Sequence, residues 1–210
     1  FGKFFIKPIY KDKFVQYDTT PEFDNFDVEH KDYKIQEPFY INKFSIFGAV
    51  VNSKKNGIPN VTIKIDGQVK AITDSNGIYK LENLTPGNYD LEAQGDDMFF
   101  EPLTNLKITA HLKRIPDMIV TDYKLCGKIL IEATEYFSTA KRTVILQDAN
   151  EKSSIKERRT ITDHQGKYCF EVKPGMYQIR PVLTQDEKDS DLHLQPEFYD
   201  LEIIDRPLLD

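Results

Sequence analysis

Between residues 44 and 210 one order of short motifs runs twice, and this internal repeat restricts the possible folds more than any other feature of the chain. "TDSNGIYKL" (73–81) lies on "TDHQGKYCF" (162–170), so that Gly77 falls on Gly166. Downstream, "TPGNYDL" (85–91) lies on "KPGMYQI" (173–179). Upstream, "FSIFGAV" (44–50) lies on "YKLCGKI" (123–129), with Gly48 on Gly127. The start of the chain shares the pattern: "FGKFFI" resembles "PGNYDL", and "PEF" at 21–23 recurs at 196–198.

Within each copy, apolar and polar residues alternate with period two, as in strands that bury one face. Phe44, Ile46, Gly48 and Val50 share a face, as do Val61, Ile63 and Ile65, then Tyr79 and Leu81, then Tyr89, Leu91 and Ala93. The second copy answers with Tyr123, Leu125, Gly127 and Ile129, then Val144 and Leu146, then Tyr168, Phe170 and Val172, then Tyr177 and Ile179. No helical spacing is sustained. Short strands punctuated by Gly, Pro, Asn and Asp predict an all-β chain of tandem immunoglobulin-like β-sandwich repeats. Residues 44–122 and 123–210 are expected to be complete sandwiches, and 1–43 the C-terminal part of a preceding one whose partner strands lie before Phe1. "TDYKL" at the second boundary has no Gly/Ser spacer, which predicts a stiff link.

Charge and composition exclude several functions. A net charge of −6, with no Lys/Arg block interleaved with aromatics, argues against nucleic acid. No apolar run reaches the roughly 18 residues of a membrane helix, so no membrane contact is expected within this stretch. "FGKFFIKPIY" is too interrupted by Lys and Pro for a signal-peptide core. The two cysteines, Cys126 and Cys169, lack zinc spacing and are too few to define a disulfide framework.

Asp74, Ser75 and Asn76 raise the question of a calcium loop. Such a loop needs several oxygen ligands and a later bidentate Glu, whereas here strand residues follow Gly77, and the second copy has Gln165 in place of Asn76. The residues suit a tight turn instead: Asp74 and Asp163 accept backbone N–H bonds, and Gly77 and Gly166 take positive φ. In the other shared motif, Pro86 and Pro174 fix φ, Gly87 and Gly175 permit the turn, and the following Tyr returns to the core. His30, His111, His164 and His193 are scattered and form no ligand frame. Lys156 and Glu157 belong to a charged stretch read as a solvated strand or hairpin tip, and "TQDEKDSD" (184–191) as a mobile exposed loop. No residue is expected to be catalytic, to bind a cofactor or to ligate a metal.

The stretch "FSIFGAVVNSKKNGIPNVTIKIDGQVKAITDSNGIYKLENLTPGNYDLEAQGDDMFFEP", with "KLCGKI", "GKYCFEVKPGMYQI" and "DRPLLD", resembles the nodal modulator (NOMO) family over nearly the whole chain. It is more specific than the T-D-x-x-G and P-G-x-Y pattern shared by carboxypeptidase-regulatory-like and transthyretin-like modules. The resemblance implies a lumenal segment of a single-pass endoplasmic reticulum membrane protein, without catalytic residues. The implied partners are nicalin, a small multi-pass protein and the Sec translocon. A lumenal setting would open two sequons, at Asn83 in the loop before Pro86 and at Asn60 at the start of a strand. It also disfavours free surface thiols, so Cys126 and Cys169, both out of phase with the core, are expected to be joined rather than separate. That bond requires their strands to be neighbours. Two other readings stand beside the scaffold: a carbohydrate-binding or adhesion module, disfavoured by the absence of Trp, and an accessory domain of a carboxypeptidase-like enzyme.

Overall fold

A computed structural model describes residues 2–9, 15–28, 34–35, 37–109, 111–131, 137–149 and 157–209. The chain forms β1 (Gly2–Ile6), β2 (Val15–Thr20), β3 (Asp24–Val28), β4 (Tyr40–Val51), β5 (Thr62–Ile65), β6 (Gln68–Ile72), β7 (Ile78–Leu84), β8 (Gly87–Gln94), β9 (Met98–Phe100) and β10 (Leu103–Ile108). There follow β11 (Met118–Lys128), β12 (Thr143–Asp148), β13 (Arg158–Ile161), β14 (Lys167–Val172), β15 (Gly175–Pro181), α1 (Gln185–Asp189) and β16 (Tyr199–Ile203). Two compact units result, Phe1–Gly95 with Phe100–Ile119, and Asp96–Phe99 with Val120–Asp210. The boundary between these units, after Ile119, lies within β11, as does the expected one after residue 122, and residues 1–43 group with the first unit.

In the first unit one sheet has the order β10-β8-β5-β6, and the opposing strands are β2, β4 and β7, with β4 in the middle. The first two residues of β11 run parallel to β4, Met118 beside Val50 and Ile119 beside Val51. Period-two alternation sends Phe44, Ile46, Val61, Ile63, Leu81 and Leu91 into one core, all of them fully buried. Each such side chain contributes roughly 1.5–3 kcal/mol relative to exposure. Ile108, Ile115 and Met118 close that core from the far end of the repeat.

The second unit repeats the plan. Its four-stranded sheet has the order β13-β12-β15-β16, and β11 pairs with β14 over Tyr123↔Val172 to Lys128↔Lys167. Tyr123, Leu125, Val144, Leu146, Val172 and Ile179 fill its core. Asp96–Phe99, which the sequence repeat assigns to the preceding copy, belongs to this unit: β9 pairs with β11, and Lys124 N–H donates to Asp97 O at 2.9 Å.

The last two strands of each copy share one register. Gly87 of β8 faces Ile108 of β10, and Gly175 of β15 faces Ile203 of β16. Gly2 of β1 faces Val28 of β3 in the same way. The β1–β3 ribbon leaves aromatics exposed, with Phe5 at 69% and Phe4, which stacks on Phe26, at 50%.

Candidate functional site

In both T-D-x-x-G turns every motif residue is used by the backbone around it. Asp74 Oδ1 accepts from Asn76 N–H at 2.8 Å and Ile78 N–H at 2.9 Å; Asp163 Oδ1 accepts from Gln165 N–H at 2.8 Å and Lys167 N–H at 2.9 Å. The Lys167 N–H, foremost among several causes, holds the Asp163 carboxyl below its usual range. Gly77 and Gly166 have φ of +73° and +78°, and their N–H groups donate back to Asp74 O and Asp163 O. Thr73 and Thr162 are buried. Thr73 Oγ1 donates to Ile58 O at 2.8 Å and accepts from Val61 N–H at 2.9 Å, while Thr162 Oγ1 bridges Thr139 O at 2.6 Å and Arg142 N–H at 2.8 Å. A carboxylate so engaged, next to a buried hydroxyl, organises a hairpin rather than a cation site. Among the described residues no three His, Cys, Asp or Glu side chains converge as a metal would require.

The P-G-x-Y motifs form a second matched pair. Tyr89 O–H donates to Thr85 O at 2.8 Å, and Tyr177 O–H donates to Lys173 O at 2.9 Å, so each ring arches back over its own turn. This resembles the tyrosine corner of immunoglobulin-like sandwiches. Gly87 and Gly175 lie outside the positive-φ set and are the first residues of β8 and β15. A Cβ there would make ordinary contact with the Tyr89 ring at 3.4 Å or the Tyr177 ring at 3.5 Å, so neither tyrosine requires a glycine at these positions.

Two further equivalences lie across β4–β7 and β11–β14. Gly48 faces Tyr79 and Gly127 faces Tyr168; a Cβ on either glycine would sit 2.3 Å from the tyrosine hydroxyl. The Tyr79 hydroxyl is buried and has no hydrogen-bond partner among the described residues, and burial pushes its pKa well above the ordinary value, with Arg114 lowering and Asp117 raising it. One position along, Cys126 faces Cys169 and the two are joined by a disulfide. In the first copy the same pair is Phe47 and Lys80, with the ammonium 6.0 Å from the ring centroid.

The acidic run 184–191 is not a mobile exposed loop. Thr184 caps α1 with a capping box, its hydroxyl accepting from Glu187 N–H while Glu187 Oε2 accepts from Thr184 N–H. Glu187 is 2% exposed and its Oε1 pairs with Arg142, whose Nε donates to Ser138 O at 2.6 Å. Burial raises the Glu187 pKa, but the Arg142 and Thr184 hydrogen bonds outweigh it and hold the carboxyl below the usual range. The signal was T-x-x-E at 184–187; its distant partner Arg142 had none. Glu157 is likewise no simple solvated tip. It is half-buried, accepts from Gln147 Nε2 at 2.9 Å and Arg159 at 3.1 Å, and lies 3.6 Å from Arg180. Lys156 and His30 lie outside the described residues; His111, His164 and His193 are exposed and apart.

Both sequon asparagines are exposed, and both sit differently from expectation. Asn60 lies in the turn before β5 and Asn83 lies within β7, each with positive φ, 59° and 58°. Asn83 also borders a groove of about 800 Å³ between β6 and β7, lined by Asp66, Gln68, Lys80, Glu82 and Tyr89 among others. Among the described residues no helix is long and apolar enough to cross a membrane.

Residues 124–210 match the family model described as the NOMO fifth transthyretin-like domain, and residues 45–111 match the carboxypeptidase regulatory-like domain. The whole chain is 30% identical over 214 residues to human BOS complex subunit NOMO2 and to human NOMO1, and 30% identical over 215 residues to mouse NOMO1. It spans 16–17% of the length of these relatives. Among solved structures, the Bacillus anthracis TIE protein overlaps 81% of this chain and 33% of its own at 13% identity. A streptococcal ancillary pilin overlaps 99% and 73% at 12%. Both TM-scores are 0.33, too low to bear on fold or function. With a NOMO domain at residues 124–210, a carboxypeptidase regulatory-like domain before it and similarity to NOMO subunits along its full length, the chain is similar to the NOMO family.

Proposed function

We propose that this chain is a non-enzymatic scaffold segment in the endoplasmic reticulum lumen, part of a membrane-anchored parent protein. In this reading the parent acts with a nicalin-like protein and a small multi-pass partner beside the Sec translocon during insertion of multi-pass membrane proteins. The carrying observation is similarity to BOS complex subunits from end to end of the chain. The turn motifs support it, since the residues that looked chemically suggestive spend their polar atoms on hairpins.

Division into 1–43, 44–122 and 123–210 belongs to the same proposal. The register of Gly2 with Val28, matching that of Gly87 with Ile108 and Gly175 with Ile203, supports reading 1–43 as the closing strands of an earlier sandwich. The scaffold role is tested by affinity purification of the tagged parent from detergent-solubilised membranes. Co-purification of the nicalin-like and multi-pass proteins is expected, and their absence refutes it. Binding of the purified chain on a glycan array favours the carbohydrate module instead, and a co-purifying carboxypeptidase favours the accessory domain.

A further inference from the structure

The connection between the last two strands of each copy takes a different form at the end of this chain. Between β1 and β3 it forms β2, antiparallel to β4, with Tyr17 facing Phe44, Asp18 facing Lys43, Thr19 facing Ile41 and Thr20 facing Tyr40. Tyr17 packs against the core that β4 helps to build. Between β8 and β10 it forms β9, which pairs with β11. In both cases the connection supplies a strand to the first strand of the next sequence copy. Between β15 and β16 it forms α1, and residues 192–195 after it belong to no strand.

The alignment of that stretch with β2 needs no gap. Pro21 falls on Pro196, Phe23 on Phe198, and Asp24–Val28 on Tyr199–Ile203, so Tyr17 falls on Leu192 and Thr20 on Gln195. Leu192 and Leu194 are half-buried and His193 between them is exposed, a strand-like alternation. The hydrogen bonds of α1 end with Leu192 N–H donating to Glu187 O at 3.0 Å, and this leaves the residues beyond it clear of the helix. The first strand of a further copy is also positioned by spacing. Phe44 follows Val28 by 16 residues and Tyr123 follows Ile108 by 15, which puts the counterpart after Ile203 beyond Asp210.

We infer that residues 192–195 are a donor strand for the first strand of the repeat that follows Asp210 in the parent chain, with Leu192 in the place that Tyr17 takes on β4. The inference rests on the reading of the chain as one stretch of a longer array. Pairing supplies partners for an edge that is otherwise a template for misassociation.

Hydrogen–deuterium exchange on the intact parent protein tests it, with the amides of His193, Leu194 and Gln195 read beside those of Tyr17, Asp18, Thr19 and Thr20. At least one of the three is expected to exchange more than ~100-fold slower than an unstructured amide, as ladder amides do. If all three exchange at the unstructured rate while β16 and the strand after Asp210 are protected, the array stands and strand donation is refuted. If no protected, alternating strand follows Asp210, both are refuted.

Discussion

Replacing Gly77 by Ala separates two costs that usually come together. At φ +73° an L side chain pays the left-handed backbone penalty, roughly 1–2 kcal/mol, partly offset by the lower entropy of the unfolded alanine chain. A Cβ there would also lie 2.5 Å from Ile58 N, 2.6 Å from Gly57 Cα and 2.6 Å from Val50 O. All three are backbone atoms held by a ladder in which Ile58 N–H donates to Val50 O and Val50 N–H donates to Gly77 O, so no rotamer change can make room. Displacing packed backbone adds about 1–3 kcal/mol or more. Gly67 is the control, with φ +76° and nothing within 4 Å of its added Cβ. Gly67→Ala should therefore lose about 1 kcal/mol and Gly77→Ala about 3 kcal/mol or more. Urea unfolding followed by far-UV circular dichroism and tyrosine fluorescence would measure both, as the chain has no Trp. Equal losses within ~0.5 kcal/mol would refute the close-approach reasoning and leave only the φ penalty.

Reducing the Cys126–Cys169 bond, or Cys169→Ser, should cost the second unit about 4 kcal/mol for a separation of 43 residues, read as a lower urea midpoint with the first unit's transition unmoved. Glu187→Gln leaves Arg142 buried against a neutral partner and should cost about 3–5 kcal/mol, whereas the double change Arg142→Met with Glu187→Leu should recover most of it in the same assay. The depressed Asp163 pKa adds stability that is present above the unfolded value of about 3.9 and lost as pH falls through the lower folded value. Asp163→Asn should accordingly flatten the acid limb of a midpoint-against-pH curve between about pH 2 and 5, and an unchanged limb would refute it.

Most of the sheet was legible because period two is a local signal. Val61, Ile63, Ile65 and their counterparts face the core as their alternation requires. The turns were legible because Asp74 and Asp163 act on residues two and four positions away. What escaped was nonlocal or too short. A five-residue helix has no hydrophobic period, and the Arg142–Glu187 pair spans 45 residues. Within β11, one unbroken strand from Met118 to Lys128, the partners change from β4 to β14 without a change of composition to mark the point. Gly87 and Gly175, which follow prolines, have no positive φ and are the first residues of β8 and β15, a backbone state that their residue type does not reveal.

The covalent link between β11 and β14 also bears on how the chain would respond to tension. A pull applied along the polypeptide reaches Cys126 and passes through the sulfurs to Cys169, bypassing everything between them. The segment 127–168 so enclosed, within a separation of 43 and equivalent to about 140–150 Å of extended chain, cannot be drawn out while the bond is intact. The first copy has a lysine over a phenylalanine at the same place, a contact that yields under load. Stretched from both ends, the first unit would release its full contour length and the second would release that of its flanks alone, making the second the tether that stays short.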